Sequence, residues 1–405
     1  MRSADAVVVG GGPAGTSAAI TLARAGREVT LIDKASFPRD KCCGDGLTTS
    51  ALRSLDALGL DPGSVPSWKD VADFSIRSVS GRWVHLPLPT DGLYAAVARR
   101  VELDAALLDL ARSAGVKVLD GHGCTGARQG DDGVVLTVDG VGEVGAPWLV
   151  AADGAWSPTR KMLGASHPAG YRGDWHAFRQ YFGSVTGRAA HDLVVWFEPD
   201  IVPGYLWSFP VAGGAANVGF GIERGGRAEV GDMASLWTDL LSRPHVREAL
   251  GGHATPEGPH RAWPIPARIE AVTLSVGRAL WVGDAAAACD PMTGEGIGQA
   301  LDTGRWAAEA VLAGGEHQTD AVHHQYETQV HRTLVNDHRM SRLLLLALRH
   351  RKGNRFPLWL VDRNDWTRRN FARWLWEDYP RALIGTPRRW HRGMFTGPGA
   401  YRAAT

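Results

Sequence analysis

An uninterrupted apolar run, AVVV at residues 6–9, has the pattern of a strand buried on both faces of a parallel sheet. Gly10-x-Gly12-x-x-Gly15 follows it. TSAAITLARAG (16–26) then reads as a helix, and EVTLID (28–33) as a second strand ending on Asp33. An amphipathic helix opens on Arg100 and leads into another strand. WLVA (148–151) reads as a strand that stops just before Asp153-Gly154. A further strand ends at Gly283-Asp284, a loop PMTGEGI (291–297) follows, and a long helix begins. Between residues 166 and 271 this βαβ rhythm is lost. HAFRQYFGSV, DLVVWFEPD, GYLWSFPVAGG and AANVGFGIE read as successive strands separated by Gly- and Pro-rich turns, which predicts an antiparallel sheet. Tyr205, Trp207 and Phe209 alternate and therefore share one face of their strand.

The glycine spacing has a physical reading in this setting. Gly10 permits a tight turn, Gly12 lets the backbone approach a pyrophosphate, and Gly15 allows close packing of helix on strand. The helix N-terminus supplies N–H donors and partial positive charge. Asp33 is placed to accept from a ribose hydroxyl. The alternative is a glycine-rich turn without a ligand. The strand–turn–helix–strand order favours a dinucleotide, but the fingerprint alone does not separate FAD from NAD. It occurs once, so a second nucleotide would dock transiently.

The chain has 405 residues, 44% hydrophobic and 21% charged, enough for two or three domains with ample core. Its net charge of +1 gives no global field for nucleic acid. The charge is uneven, however: residues 331–405 carry 16 Lys and Arg against 5 Asp and Glu, and the remaining chain carries 28 against 38. The four cysteines, Cys42, Cys43, Cys124 and Cys289, fit no disulfide framework and no CxxC metal pattern. A reducing cytoplasm is the expected setting, with no metal. MRSAD leads directly into a strand, so no signal peptide is expected, and LLLLAL (343–348) is too short to span a bilayer.

Taken together, the fingerprint, the Arg100 helix, the Asp153-Gly154 turn and the Gly283–Ile297 segment resemble the group A flavoprotein monooxygenase and reductase superfamily. The resemblance implies an α/β fold: a Rossmann-type FAD-binding domain, an antiparallel-sheet substrate domain and a C-terminal helical region. The expected division is 1–75, 95–165 and 272–330 for the FAD-binding domain, 76–94 and 166–271 for the substrate sheet, and 331–405 for the helical region. It implies that Gly10, Gly12, Gly15 and Asp33 hold the adenosine half of FAD, with Arg100 and Asp284 near its phosphates and ribityl chain. Pro291, Gly294, Gly296 and Ile297 would line the isoalloxazine ring.

Lys41-Cys42-Cys43-Gly44 and Tyr205-x-Trp207-x-Phe209-Pro210 sharpen this to the geranylgeranyl reductase family, whose motifs are K-x-C-G and Y-x-W-x-F-P. Lys41 and Gly44 join the cofactor-binding set on this resemblance. The family implies saturation of isoprenoid carbon–carbon double bonds by hydride transfer from reduced flavin N5 plus protonation. The substrate is a lipophilic small molecule or prenyl lipid, with NADPH or ferredoxin as external reductant. Cys43 is the candidate proton donor or pocket-shaping residue, with Cys42 its packed neighbour. Tyr205 and Trp207 suit a catalytic role because aromatic faces stabilise a cationic carbon, and with Phe209 they would line the substrate cavity. As a pattern alone, the aromatic stripe reads more readily as sheet core, the common place for aromatic stripes in strands. Gly44 and Gly46 are expected to bring the backbone close to the flavin ring, and Asp45 to cap a helix starting near Leu47.

Two rivals stand beside this reading: a flavin-dependent monooxygenase or halogenase of an aromatic or polyketide product, and a flavin-containing binding protein without turnover. Halogenases need a positioned lysine, and between Lys41 and Lys117 the chain offers only Lys69. The Arg- and Trp-rich tail suits peripheral contact with an anionic membrane, or a helical cap whose arginines pair with the acidic body. No nucleic-acid-binding module is present.

Overall fold

In the computed structural model, which describes residues 2–349 and 355–402, Ala6–Val9 is fully buried inside a six-stranded sheet. The strand order is Ser275–Val276, Ala279–Trp281, Trp148–Ala151, Ala6–Val9, Val29–Asp33 and Lys117–Asp120, parallel except for the first pair. Helix Pro13–Arg24 follows Gly12 with proline in its first turn, where the missing N–H costs nothing. The long helix Ile297–Gly314 crosses it closely. A Cβ on Gly304 would lie 2.0 Å from the Ala14 carbonyl oxygen, so only glycine permits that approach. One on Gly15 would lie 1.8 Å from the Gly10 oxygen, which is the helix-on-strand packing the fingerprint predicts.

A seven-stranded sheet runs in the order Thr255–Ile265, Trp175–Gly183, Ala215–Glu223, Leu206–Val211, Leu193–Trp196, Asp73–Arg77 and Trp83–Pro87. It departs from the antiparallel expectation at one place, where Leu193–Trp196 runs parallel to Asp73–Arg77. The hairpin that supplies Asp73–Arg77 comes from far earlier in the chain and joins as an edge unit. Gly219, opposite Trp207 in this sheet, makes room for the indole: a Cβ there would meet Trp207 Cζ2 at 2.4 Å and the Phe178 oxygen at 2.5 Å.

Helix Thr49–Ala57 is capped by Thr48, whose Oγ1 accepts from Ala51 N at 3.3 Å. Asp45 is not the cap. It lies in a buried left-handed turn (φ +66°) before the helix, so the expectation from residue type fails.

The C-terminal region is helical over Asn336–Leu348, Arg355–Val361 and Asp365–Leu375. Its parts at 350–354 and 403–405 lie outside the described residues. Many of its arginines pair with carboxylates. Arg349 meets Glu223, Arg389 meets Asp337 and Arg402 meets Asp91, while the buried Arg373 and Arg381 meet Asp378 and Asp290. Trp376 is buried edge-on to Phe74, whereas Trp366 is 71% exposed. No helix among the described residues is long and apolar enough to cross a membrane.

Gly219→Ala is expected to destabilise the protein by about 1–3 kcal/mol through overpacking against Trp207 and a backbone carbonyl. Thermal unfolding measures it, and a melting temperature equal to wild type would show that the indole can retreat.

Candidate functional site

One cavity of about 910 Å³ joins the two large sheets, within the roughly 300–1,000 Å³ usual for ligand pockets. Gly10, Gly12 and Asp33 line one end, and Tyr205, Trp207 and Phe209 line the other. Lys41, Cys43, Gly44, Arg100 and Asp284 stand between them, and Pro291, Gly294, Gly296 and Ile297 complete the wall. Of the sequence-predicted residues only Gly15 is not on the wall; it packs under the turn instead.

At the glycine-rich end, Gly10 has φ +110° and no room for a side chain, since a Cβ would lie 2.2 Å from the Ala152 oxygen. Gly12 is different. A Cβ there would meet only the guanidinium nitrogens of Arg39 at 3.5 Å and Arg100 at 3.9 Å. Both arginines converge on the fully buried Asp104: Arg100 through Nε (2.7 Å) and Nη2 (2.8 Å), Arg39 through Nη1 (2.9 Å). Two cations against one carboxylate leave net positive charge at a helix N-terminus, a built anion site. Asp33 accepts from Gly11 N at 2.7 Å and Ala35 N at 2.8 Å, so the carboxylate orders the turn as well as lining the cavity. These features fit the pyrophosphate and ribose of a dinucleotide. Arg39 was missed from sequence; its one signal is a basic residue shortly after the second strand.

In the middle, Lys41 Nζ lies 3.6 Å from Asp284 Oδ2 and 4.2 Å from the centre of the Trp263 ring. All four cysteines are free. Cys42 donates to the Arg261 oxygen at 3.6 Å, and burial pushes its thiol up to about 12. Cys43 is half-buried on the cavity wall. Burial also pushes its thiol up, opposed by the nearby Arg100 guanidinium.

At the aromatic end, Tyr205 and Trp207 meet edge to face at 6.0 Å, and Trp207 and Phe209 are 6.2 Å apart. The stripe faces the cavity while its edges also join the sheet core. Tyr205 donates its hydroxyl to the Thr293 oxygen, fixing the PMTGEGI loop to the strand. Gly44 and Gly46 pack against these rings: a Cβ would lie 3.4 Å and 3.1 Å from Phe209 Cε2 respectively. Their smallness therefore serves the fit of the loop on the aromatic strand.

Sequence reading also missed a buried cluster behind the loop. Arg381 Nε lies 3.2 Å from Asp290 Oδ2, and its Nη2 lies 3.1 Å from Glu377 Oε1 and 3.2 Å from Thr293 Oγ1. Glu295 accepts from Gly298 N at 2.7 Å, and burial together with the neighbouring Glu377 pushes its carboxyl up to about 8. Among the described residues no group of three or more His, Cys, Asp or Glu is arranged to hold a metal.

The FAD binding domain family matches residues 3–334. This chain belongs to that family, as an FAD-dependent oxidoreductase of the geranylgeranyl reductase and menaquinone reductase type. A menaquinone reductase of Mycolicibacterium smegmatis is 34% identical over 335 residues, 77% of each chain. A digeranylgeranylglycerophospholipid reductase of Methanoculleus marisnigri is 30% identical over 78% of this chain and 79% of its own. A geranylgeranyl bacteriochlorophyll reductase-like protein of Thermoplasma acidophilum shares the fold with a TM-score of 0.77 at 21% identity, covering 96% of this chain and 100% of its own. The fold is also that of a point mutant of halogenase PltM in complex with FAD, at TM-score 0.72 and 18% identity, covering 95% of this chain and 84% of its own.

Arg39→Leu removes one cation from the Gly12 cradle and leaves the Arg100–Asp104 pair intact. FAD affinity is expected to fall about 10- to 100-fold, from the loss of one charge-assisted hydrogen bond. Fluorescence titration of apoprotein with FAD checks this, and unchanged affinity would place the pyrophosphate elsewhere.

Proposed function

We propose that this oxidoreductase saturates isolated carbon–carbon double bonds of an isoprenoid or other lipophilic substrate. The observation that carries the reading is the continuous Tyr205–Trp207–Phe209 wall, set in the same cavity as the dinucleotide cradle and beside Cys43. Phe74, Ile76 and Val195 extend that wall with apolar surface. A prenyl chain lying there leaves water at about 0.8 kcal/mol per buried CH₂, which holds the reacting bond in place. When bound and first reduced by an external donor, FAD would supply the hydride of the reduction. The chain's residues hold the cofactor at the Gly12 cradle, exclude water along the aromatic wall and deliver the proton. Cys43 suits that delivery because its raised thiol stays in the S–H form at neutral pH. Charge that develops on the more substituted carbon faces the rings of Tyr205 and Trp207.

An oxygenase or halogenase on the same scaffold is the second reading, and the fold likeness to a halogenase is what favours it. The lysines weigh against it. Lys69 lies off the cavity, and Lys41 is drawn to Asp284 and the Trp263 ring. A binding protein without turnover is disfavoured by the placement of a thiol donor between cofactor cradle and aromatic wall.

The test is anaerobic incubation of the FAD-loaded, dithionite-reduced protein with menaquinone and with geranylgeranylated lipids, read by mass spectrometry. A gain of two hydrogens is expected. No such gain with any prenyl substrate would overturn the reading. Cys43→Ala and Cys43→Ser should each lower the rate by about 10²-fold or more, the usual share of a general acid. Unchanged rates in both would remove Cys43 from the chemistry.

The same reading extends to an anionic membrane surface as the source of the substrate. Helix Asn336–Leu348 turns Leu344 and Leu348 into the cavity and leaves Leu343 and Leu346 exposed at 61% and 53%. The double variant Leu343→Ser, Leu346→Ser should sediment less with phosphatidylglycerol vesicles than wild type does. Equal sedimentation would sink the membrane extension and leave the chemistry standing.

A further inference from the structure

Asp45 holds a position that the dinucleotide site does not explain. Its side chain is completely buried, yet it borders the cavity next to Cys43. Oδ2 accepts from the Tyr181 hydroxyl and from Asn217 Nδ2 at 2.8 Å. Oδ1 has no hydrogen-bond partner among the described residues. The backbone of Asp45 is tied as well: its N–H donates to Cys43 Sγ at 3.4 Å, and its carbonyl accepts from Ala98 N at 3.1 Å. Asn217 donates its second amide hydrogen to the Cys43 oxygen at 2.8 Å and accepts from Trp207 Nε1 at 3.0 Å. A buried carboxylate thus sits two residues from the thiol, held by a frame that also grips the aromatic strand.

The charges around Cys43 act in opposite senses. Arg100, from helix Arg100–Ser113, favours thiolate, while Asp45 from the same loop and Glu295 from the PMTGEGI loop disfavour it. Behind Asp45, strand Trp175–Gly183 brings Tyr181 and Arg179, and Arg179 pairs with Asp40 at 2.5 Å. Burial pushes the Asp45 carboxyl up to about 6, resisted by its bonds to Tyr181 and Asn217. Above that pH it is charged.

We propose that Asp45 is a positioning residue for Cys43: its buried carboxylate adds to burial in holding the thiol as S–H against the pull of Arg100, and Asn217 keeps the loop seated on the aromatic strand. This rests on the reading of Cys43 as proton donor. In the reduction, the S–H bond breaks as a C–H bond forms on one alkene carbon, and sulfur keeps the electron pair as a thiolate beside Arg100. The second C–H bond would be formed by a hydride from FAD that an external donor such as dithionite has already reduced, leaving the flavin oxidised. Without the Asp45 charge, the pull of Arg100 is opposed only by burial and Glu295, and a larger share of Cys43 is thiolate before substrate arrives.

The test is the pH dependence of Cys43 alkylation by iodoacetamide, followed by peptide mass spectrometry on the FAD-loaded protein. Asp45→Asn keeps the shape and removes the charge. Its Cys43 profile should move to lower pH, with a rate at pH 8 about three- to tenfold above wild type, since a thiol of lower pKa is also a weaker nucleophile. Cys124 serves as the internal control and should not move. Tyr181→Phe removes a donor that partly neutralises the Asp45 charge, which stays ionised at pH 8, and should shift the Cys43 profile the other way, to higher pH, by less. It keeps the question answerable if Asp45→Asn fails to fold. Asp45→Glu, which restores the charge, should return the profile toward wild type. An unchanged Cys43 profile in Asp45→Asn and Tyr181→Phe would overturn the proposal. Failure of the prenyl-reduction reading would appear instead as no gain of hydrogens with the titration shift intact.

Discussion

The Asn217 side chain joins the two halves of the site. It commits both amide hydrogens and its carbonyl to groups on segments more than 170 residues apart in one case and ten in the other: the Cys43 oxygen and Asp45 Oδ2 on one side, the Trp207 indole on the other. Buried polar groups are costly unless paired, so this arrangement is close to all-or-none. Gly44 and Gly46 have no side chains because the loop lies within van der Waals contact of Phe209. Gly219 has none because the Trp207 ring lies over it. The cysteine loop and the aromatic strand are therefore one unit, and the place of Cys43 on the cavity wall follows from it.

The electrostatic pattern of the cavity changes along its length. At the Gly12 end two guanidinium groups share Asp104, leaving positive charge for phosphates. At the loop end the balance reverses, with Asp290, Glu295 and Glu377 gathered around a single buried Arg381. Asp290 keeps its charge, drawn down by Arg381. The Glu295 carboxyl is pushed up to about 8 by burial and the neighbouring Glu377, and the Glu377 carboxyl to about 7 by burial and the nearby Asp290. At neutral pH that pair retains a proton, which keeps excess negative charge away from the N-terminus of helix Ile297–Gly314. The positive end of that helix dipole then remains available to an anionic ligand.

Local patterns were legible in the sequence, and long-range partners were not. The glycine fingerprint, Asp33, the helix opening at Ile297 and the alternation of Tyr205, Trp207 and Phe209 are set by neighbours within a few residues, so spacing revealed them. The cavity side of the aromatic stripe became legible through its company with the K-x-C-G loop. Arg39, Asn217, Asp45 and Arg381 act through partners tens to hundreds of residues away, and residue type alone misleads there. Asp45 has the composition of a helix cap, but Thr48 takes that place and Asp45 turns inward. Gly44 and Gly46, expected to bring the backbone close to a flavin ring, also leave room for Phe209, a partner that spacing could not reveal.

The C-terminal region shows the same limit from the other direction. Its excess of arginine looks like a free basic tail when charges are counted along the chain. In three dimensions the deficit of acid in residues 331–405 is met by acids of the body, through Glu223, Asp91 and Asp290. Arg381 is the decisive case. It is almost fully buried, and its contacts to Asp290 and Thr293 hold the loop that also receives the Tyr205 hydroxyl. Removing one partner of such a buried pair leaves an uncompensated charge, a loss of several kcal/mol. The region from Asn336 onward thus shapes the loop between cofactor cradle and aromatic wall, and its exposed apolar residues are the outer surface of a structure whose inner surface is the site.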